Sequence, residues 1–460
     1  MNENANTILG EAPVGRLMLR FSIPGILSLL IAALYNMVDQ IFIGHGVGYL
    51  GNGATNVVYP ATVIALALSI MVGNGCAAYL SICQGRNDHE SSHKSVGNGI
   101  MVTVLSSLAL TVLFAAFSEQ ILWGFGATEN NIPYARDYFR YIIPGIPCYM
   151  FQNSMNAIIR ADGSPRFAMM ATVSGCIANM ILDPVAIFVL DMGVAGAAIA
   201  TVIGQLLGAV VTVWYFFHTK TFRLQRSSFR LQGNILGKIL PLGACSLLTQ
   251  VSTVIVLAVM NNILVHYGTM SEYGPDIPLT VYGIIMKIFS LVTSVIIGLA
   301  LGTQPIVGYN YGAGKFGRMK DTFKKMVYVE VGIGLASLAV FEFLPMQIMG
   351  LFGEGDVLYQ EFAVTAMRIY LSGIVFYCVQ RGCAIFLQSM GKPALSAALS
   401  LLRDILLNIP AAFLLPLRAG LMGALYSAPA ADVVSFLITI AVMKHTFKKI
   451  TMNTGKAEKG

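Results

Sequence analysis

Residues 179–205 read NMILDPVAIFVLDMGVAGAAIATVIGQ. With their flanks they are long and apolar enough for two passages through a bilayer, yet Asp183 stands inside the first of them. An ionisable group in hydrocarbon is expensive and usually lines an ion or substrate path. A second such carboxylate, Asp39, lies in the apolar run IPGILSLLIAALYNMVDQIFIG at residues 23–44.

The chain has 460 residues, of which 56% are hydrophobic and only 11% charged. A soluble protein carries roughly twice that charged fraction. The deficit points to an all-α integral membrane protein. A hydrocarbon core needs about 20 apolar residues per helix, and this criterion gives twelve spans. They fall near residues 16–45, 53–82, 95–117, 135–159, 167–190, 194–217, 235–266, 278–310, 322–344, 361–388, 394–416 and 420–445. The polar start, MNENANTILGEAPVGR, is not expected to be a cleavable signal. The seven cysteines form no CxxC pair and read as apolar packing residues.

Charge alternates from loop to loop. Arg16 and Arg20, Arg86 and Lys94, Arg160 and Arg166, the loop from Lys220 to Lys238, the group Lys315 to Lys325, Lys392 and the tail from Lys444 fall on one side. Glu119 with Glu129, Asp191, Glu272 with Asp276, and Glu354 with Asp356 fall on the other; Arg418 is the exception. The positive-inside rule then puts both termini in the cytoplasm. It also explains the net charge of +7 without nucleic acid as a partner.

The two halves repeat. An offset of 227 pairs Gly75 with Gly302, Gly85 with Gly312, Phe125-Gly126 with Phe352-Gly353, Gly193 with Gly420, and Gly196-Ala197 with Gly423-Ala424. An offset of 228 pairs Gly145 with Gly373, Gln152 with Gln380, and Gly163-x-Pro165 with Gly391-x-Pro393. Six spans per half is an even number, so the repeat is parallel: two six-helix lobes around a central cavity. The expected division is a first lobe at 1–217, a cytoplasmic linker at 218–237, a second lobe at 238–446 and a basic tail at 447–460.

Asp39 and Asp183 fall about six or seven residues before the outer ends of the first and fifth spans, so both lie roughly 10 Å below the boundary. Thr201, seven residues into the inward-running sixth span, reaches a similar level. Asn179 precedes Asp183 by one helical turn, Asn36 nearly does the same for Asp39, and Tyr138 and Tyr141 lie at comparable depth. If these groups converge, two carboxylates in low dielectric do not both stay ionised alone. Either one is protonated or a cation sits between them. Asp, Asn and Thr oxygens suit a hard cation such as Na⁺.

The second half has no acid at the matching places, which fall near Val256 or Leu257 and near Pro410. It carries Lys287, Arg381, Glu330, Arg403, Asp404 and Asp432 instead. Lys287 and Arg381 are either cavity-lining or structural. Arg403 and Asp404 read as a local pair, and Glu330 as offsetting a lysine or lying near the membrane edge. Pro24 and Pro241 occupy like places in the first and seventh spans and are candidate hinges.

Two motifs are set aside. Gly46-x-Gly48-x-x-Gly51 matches a dinucleotide loop by letters, but no strand precedes it. His89 and His93 have metal-ligand spacing in the segment NDHESSHK, which reads as a solvated loop. No P-loop or catalytic triad is present, so neither ATP-driven pumping nor an enzyme is expected.

Four stretches carry a family resemblance: residues 23–44, NAIIRADGSPRFAM at 156–169, residues 179–205, and GTQPIVGYNYGAG at 302–314. The chain resembles the multidrug and toxic compound extrusion (MATE) family over about residues 12–445. The resemblance implies two lobes alternating around a cavity, no cofactor, and export of small organic, often cationic, compounds against inward H⁺ or Na⁺. The implied prokaryotic branch places its coupling acids in the first lobe, on positions matched here by Asp39, Asn179, Asp183 and Thr201. Tyr35, Asn36, Tyr138, Tyr141, Gln152, Asn153, Lys287, Gln380 and Arg381 are candidate cavity residues. A multi-pass protein of the bacterial plasma membrane, acting as a monomer among membrane lipids, is expected. A lipid or lipid-linked oligosaccharide flippase of the same superfamily is the alternative, kept open by Lys287 and Arg381.

Overall fold

The computed structural model describes residues 8–47, 49–125, 127, 129, 131–274, 276–350 and 357–457, and no strand occurs among them. Glu354, Asp356, Phe352-Gly353, Gly48 and Gly126 lie outside the described residues. The long helices are α1 (Val14–Gly46), α2 (Tyr49–Gly85), α3 (His89–Ala116), α4 (Ile132–Ala161), α5 (Pro165–Val189), α6 (Gly193–Tyr215), α7 (Gly233–Gly268), α8 (Asp276–Gly312) and α9 (Phe316–Phe343). They are followed by α10 (Val357–Leu371 with Ile374–Ser389), α11 (Pro393–Leu414) and α12 (Pro416–Ala457). Ten are apolar and long enough to cross a membrane, eleven if the halves of α10, bent by 42°, form one span. The remaining helix, α4, extends for about 45 Å. Gln152, Asn153, Ser154 and Asn156 lower its hydropathy, and most of them turn inward.

The internal repeat is built into the backbone. Positive φ recurs at Asn87 and Gly314, at Gly163 and Gly391, and at Gly193 and Gly420. Each of these pairs is separated by 227 or 228 residues; the first two mark turns after a helix, Gly193 starts α6, and Gly420 marks a kink at which two helices meet within Pro416–Ala457. Side-chain contacts repeat as well. Gln152 Nε2 donates to Ala171 O at 3.2 Å and Gln380 Nε2 to Leu399 O at 2.8 Å, again 228 apart at both ends.

By contact the chain forms two compact units. One holds the residues up to Leu247 with Leu301–Lys315 and Ser389–Gly391; the other holds Leu248–Ala300, Phe316–Gln388 and Lys392 onward. The expected linker at 218–237 therefore lies inside the first unit, together with the start of α7 and the end of α8. Glycines explain this. Gly85 lies against Tyr309 O, and Gly312 lies against Ile82 O, a reciprocal pair under the 227 offset. Gly75 faces Gly243, with 2.8 Å between its would-be Cβ and the Gly243 nitrogen. Backbone meets backbone at these points, so no side chain larger than hydrogen fits.

The linker is tied down. Asn98 on α3 donates to Ser228 O at 3.3 Å and Arg230 O at 3.1 Å and accepts from Gln232 N at 2.8 Å. Asp162, just after α4, accepts from Tyr215 Oη at 2.6 Å, from the Lys220 and Thr221 amides at 2.8 Å, and from the Thr221 hydroxyl. Burial raises the Asp162 carboxyl above its usual range, while the hydrogen bonds from Thr221, Tyr215 and the two amides work against that shift. At the far end of α4, Arg136 approaches Glu119 to 2.5 Å and holds that exposed carboxyl below its usual range.

His89 and His93 differ from expectation. They belong to the first two turns of α3, which Asp88 caps by accepting from Ser91 N at 3.0 Å. His93 Nδ1 lies 2.9 Å from Ser228 Oγ, so this histidine also anchors the linker. The seven cysteines are free.

The packing of α2 gives a direct test. Gly85→Val forces α2 away from α8 and lowers stability by about 3 kcal/mol, whereas Gly332→Ala, which has open space around it inside a helix, causes no loss of stability. Thermal unfolding of both purified variants checks this.

Candidate cation site

The end of α5 sets the geometry. Asn179 and Asp183, four residues apart, share one face of the helix. Asn179 Nδ2 donates to Asp183 Oδ1 at 3.0 Å and to Thr201 Oγ1 of α6 at 3.2 Å. Directly after Asp183 comes Pro184, and the helix then widens into a π-helical turn at Val185–Val189. Gly46 at the end of α1 packs on Ile187 and Phe188 of that turn, and Phe42 meets Phe188 edge-on at 6.3 Å. This contact brings α1 alongside α5. The Asp39 carboxyl thereby comes within hydrogen-bonding reach of the Asp183 carboxyl. Tyr138 of α4 lies beside both acids, with its hydroxyl at Thr201.

Asp183 is fully buried, Asn179 is 2% exposed, Thr201 7% and Asp39 9%. Three oxygens of the cluster are buried without any hydrogen-bond partner: Asp39 Oδ1, Asn179 Oδ1 and Asp183 Oδ2. Two neighbouring carboxylates have no donor to give each other unless one holds a proton. The arrangement is therefore short of positive charge, and an acceptor left unsatisfied in a buried site costs about 1–3 kcal/mol, more when charged. Asp, Asn and Thr oxygens of this kind are a donor set that a proton or a small hard cation can complete.

Two glycines absent from the sequence reading fix this distance. A Cβ on Gly175 would stand 2.7 Å from Gly204 O, and one on Gly204 would stand 2.6 Å from Gly175 O. The helices α5 and α6 thus touch backbone to backbone one turn from Asn179 and Thr201. The signal was available: Gly175 and Asn179 are four apart, and Gly204 follows Thr201 by three.

The family model described as MatE matches residues 24–185 and 246–414. The chain belongs to the MatE family. Multidrug export protein MepA of Staphylococcus aureus (strain MRSA252) is 24% identical over 457 residues, covering 98% of both chains. MepA of Staphylococcus haemolyticus (strain JCSC1435) is 24% identical and covers 96% of both. The fold matches that of a crystallised MATE protein in complex with MaL6, at TM-score 0.91, 21% identity and coverage of 98% and 100%. A MOP-superfamily transporter from Pyrococcus furiosus matches at TM-score 0.87 and 22% identity, covering 95% of this chain and 98% of its own. MatE family relatives of this kind are transporters, not enzymes.

The other expected residues of this MatE chain are placed as follows. Tyr35, half-buried, neighbours Asp39 and Tyr138. Asn36 is exposed and donates to Ala32 O of its own helix, and Tyr141 is 40% exposed. Gln152 is buried against Gly208 of α6, and Asn153 donates to Tyr149 O at 2.9 Å. Gln380 is buried, Lys287 is exposed, and half-buried Arg381 donates to Thr249 Oγ1 at 3.3 Å. Pro24 is buried and Pro241 exposed. Arg403 pairs with Asp404, as its sequence neighbourhood suggests, and also with Asp432 of α12, each at 2.8 Å. Glu330 neither offsets a lysine nor reaches an aqueous edge: it is fully buried and both its carboxyl oxygens lack partners.

Because the helix contact sets the site, Gly204→Val parts α5 and α6 and breaks the Asn179–Thr201 bond. Transport per folded molecule falls by about tenfold. Efflux assays on normalised protein levels check it.

Proposed function

We propose that this protein exports small organic compounds in exchange for H⁺ or Na⁺ bound at Asp39, Asn179, Asp183 and Thr201. One observation carries the reading: two adjacent buried carboxyls and an amide leave three oxygens unsatisfied inside a membrane protein. A structural role alone gives no reason for such a deficit. The relatives named as multidrug export proteins support the direction and class of transport.

In this reading the cation completes the cluster in one arrangement of the helices and leaves it in another. Exchange requires the cation and the exported compound to favour different arrangements, each by its differential affinity. Water entry from one side at a time then lets the carboxyl pair take its cation outside and lose it inside. The basic loops support an orientation with both termini in the cytoplasm of a bacterial cell. The many apolar and aromatic side chains suit loose recognition of lipophilic molecules.

Asp183→Asn removes one ionisable partner and keeps the shape. It lowers ion-driven efflux of a fluorescent organic cation from proteoliposomes by about tenfold or more, under whichever of an imposed pH or Na⁺ gradient drives the wild type. Wild-type rates in that variant overturn the assignment, and a lipid-linked headgroup moved in place of the dye favours the flippase alternative.

A further inference from the structure

The second lobe holds a carboxyl that the first-lobe site does not use. Glu330 lies in the middle of α9, is 0% exposed, and has neither oxygen hydrogen-bonded. Its carboxyl lies directly over Gly382 of α10, where any Cβ would overlap it. One turn on, Gly334 packs on Val375 of the same helix, with a would-be Cβ 2.9 Å from the Val375 Cα. The titratable neighbours from α10 are the thiols of Cys378 and Cys383, and no basic side chain forms an ion pair with Glu330 among the described residues.

The internal repeat shows how unusual this is. Glu330 corresponds to Thr103 of α3 under the 227 offset, and Gly382 corresponds to Ser154 of α4 under the 228 offset. In the first lobe the two hydroxyls hydrogen-bond at 3.0 Å, and Thr103 Oγ1 also donates to Gly99 O at 2.8 Å. Every donor there has an acceptor. In the second lobe the same helix contact has lost both hydroxyls: one position carries an acid and the other clears space for it with a glycine. A satisfied polar contact has become a sealed acid chamber. An ionised carboxylate without a partner costs several kcal/mol in such a place, so the chamber holds the acid in its neutral form.

We propose that Glu330 is a second proton-binding site of the transport cycle, loaded in this arrangement and emptied when α9 and α10 part and water reaches the carboxyl. The helix is already broken beside this contact: α10 bends by 42° between Leu371 and Ile374, and the segment Ile374–Ser389 carries Gly382. Loading converts the carboxylate and one proton to the carboxylic acid, and emptying reverses this. The proposal rests on the reading of the chain as an ion-coupled exporter, but its proton is distinct from the cation at Asp39 and Asp183.

Two variants and two readouts test it. Glu330→Gln keeps the shape without the proton. The double variant Glu330→Thr with Gly382→Ser recreates the hydroxyl pair of the first lobe and protects against misfolding of the single change. In infrared spectra of the full chain in lipid, the expected result is loss of a protonated-carboxyl C=O band in both variants. In proteoliposomes, with ethidium as probe and a pH gradient imposed, each variant moves one proton fewer per ethidium than wild type. Retention of the band and of the wild-type proton count in either folded variant overturns the proposal. The Asp183→Asn variant separates the two readings: it keeps the Glu330 band, and wild-type coupling in it refutes the first-lobe site alone.

Discussion

An ionised carboxyl surrounded by hydrocarbon must find a counter-charge, a proton or water. This constraint organises the molecule. Asp404 and Asp432 meet it with the Arg403 guanidinium, which also lies over the Tyr377 ring at 4.8 Å. Asp162 meets it with donors from the linker at the edge of the span. Asp39 and Asp183 do not meet it from within the protein, and neither does Glu330. Buried acids that are satisfied hold the structure together; those left short are the ones the proposed exchange uses.

Placing such groups demands close helix packing, and glycine supplies it. Membrane helices gain little from apolar contact with one another, so backbone proximity through small residues carries much of their association. The contacts Gly175–Gly204 and Gly85–Tyr309 are of this kind. The first also sets the reach of the Asn179 amide to Thr201. Packing and chemistry therefore share the same few positions along α5 and α6.

Much of this was legible in the sequence. Apolar run length gave the helices, because hydrocarbon thickness leaves little choice. The repeat was legible because glycines at turns and contacts tolerate no substitute, as Gly163 and Gly391 show by their positive φ. Asn179 with Asp183 was legible from the four-residue spacing of one helix. What escaped were contacts between segments distant in sequence. Asp432 is 29 residues from Arg403, and nothing local announces their pairing. The break in α10 was hidden because both halves are equally apolar. His93 was misjudged because its partner, Ser228, lies in a linker whose path no local pattern encodes.

The reciprocal contact in which Gly85 rests on Tyr309 and Gly312 on Ile82 has an evolutionary consequence. Along that seam the duplicated copies touch each other through equivalent positions, so a change in either copy disturbs the common joint. The Gly75 contact with Gly243 adds a second such close approach between the copies. A substitution at the seam therefore has two copies to satisfy, whereas the Thr103–Ser154 pair and its counterpart Glu330–Gly382 each lie within one copy and differ freely.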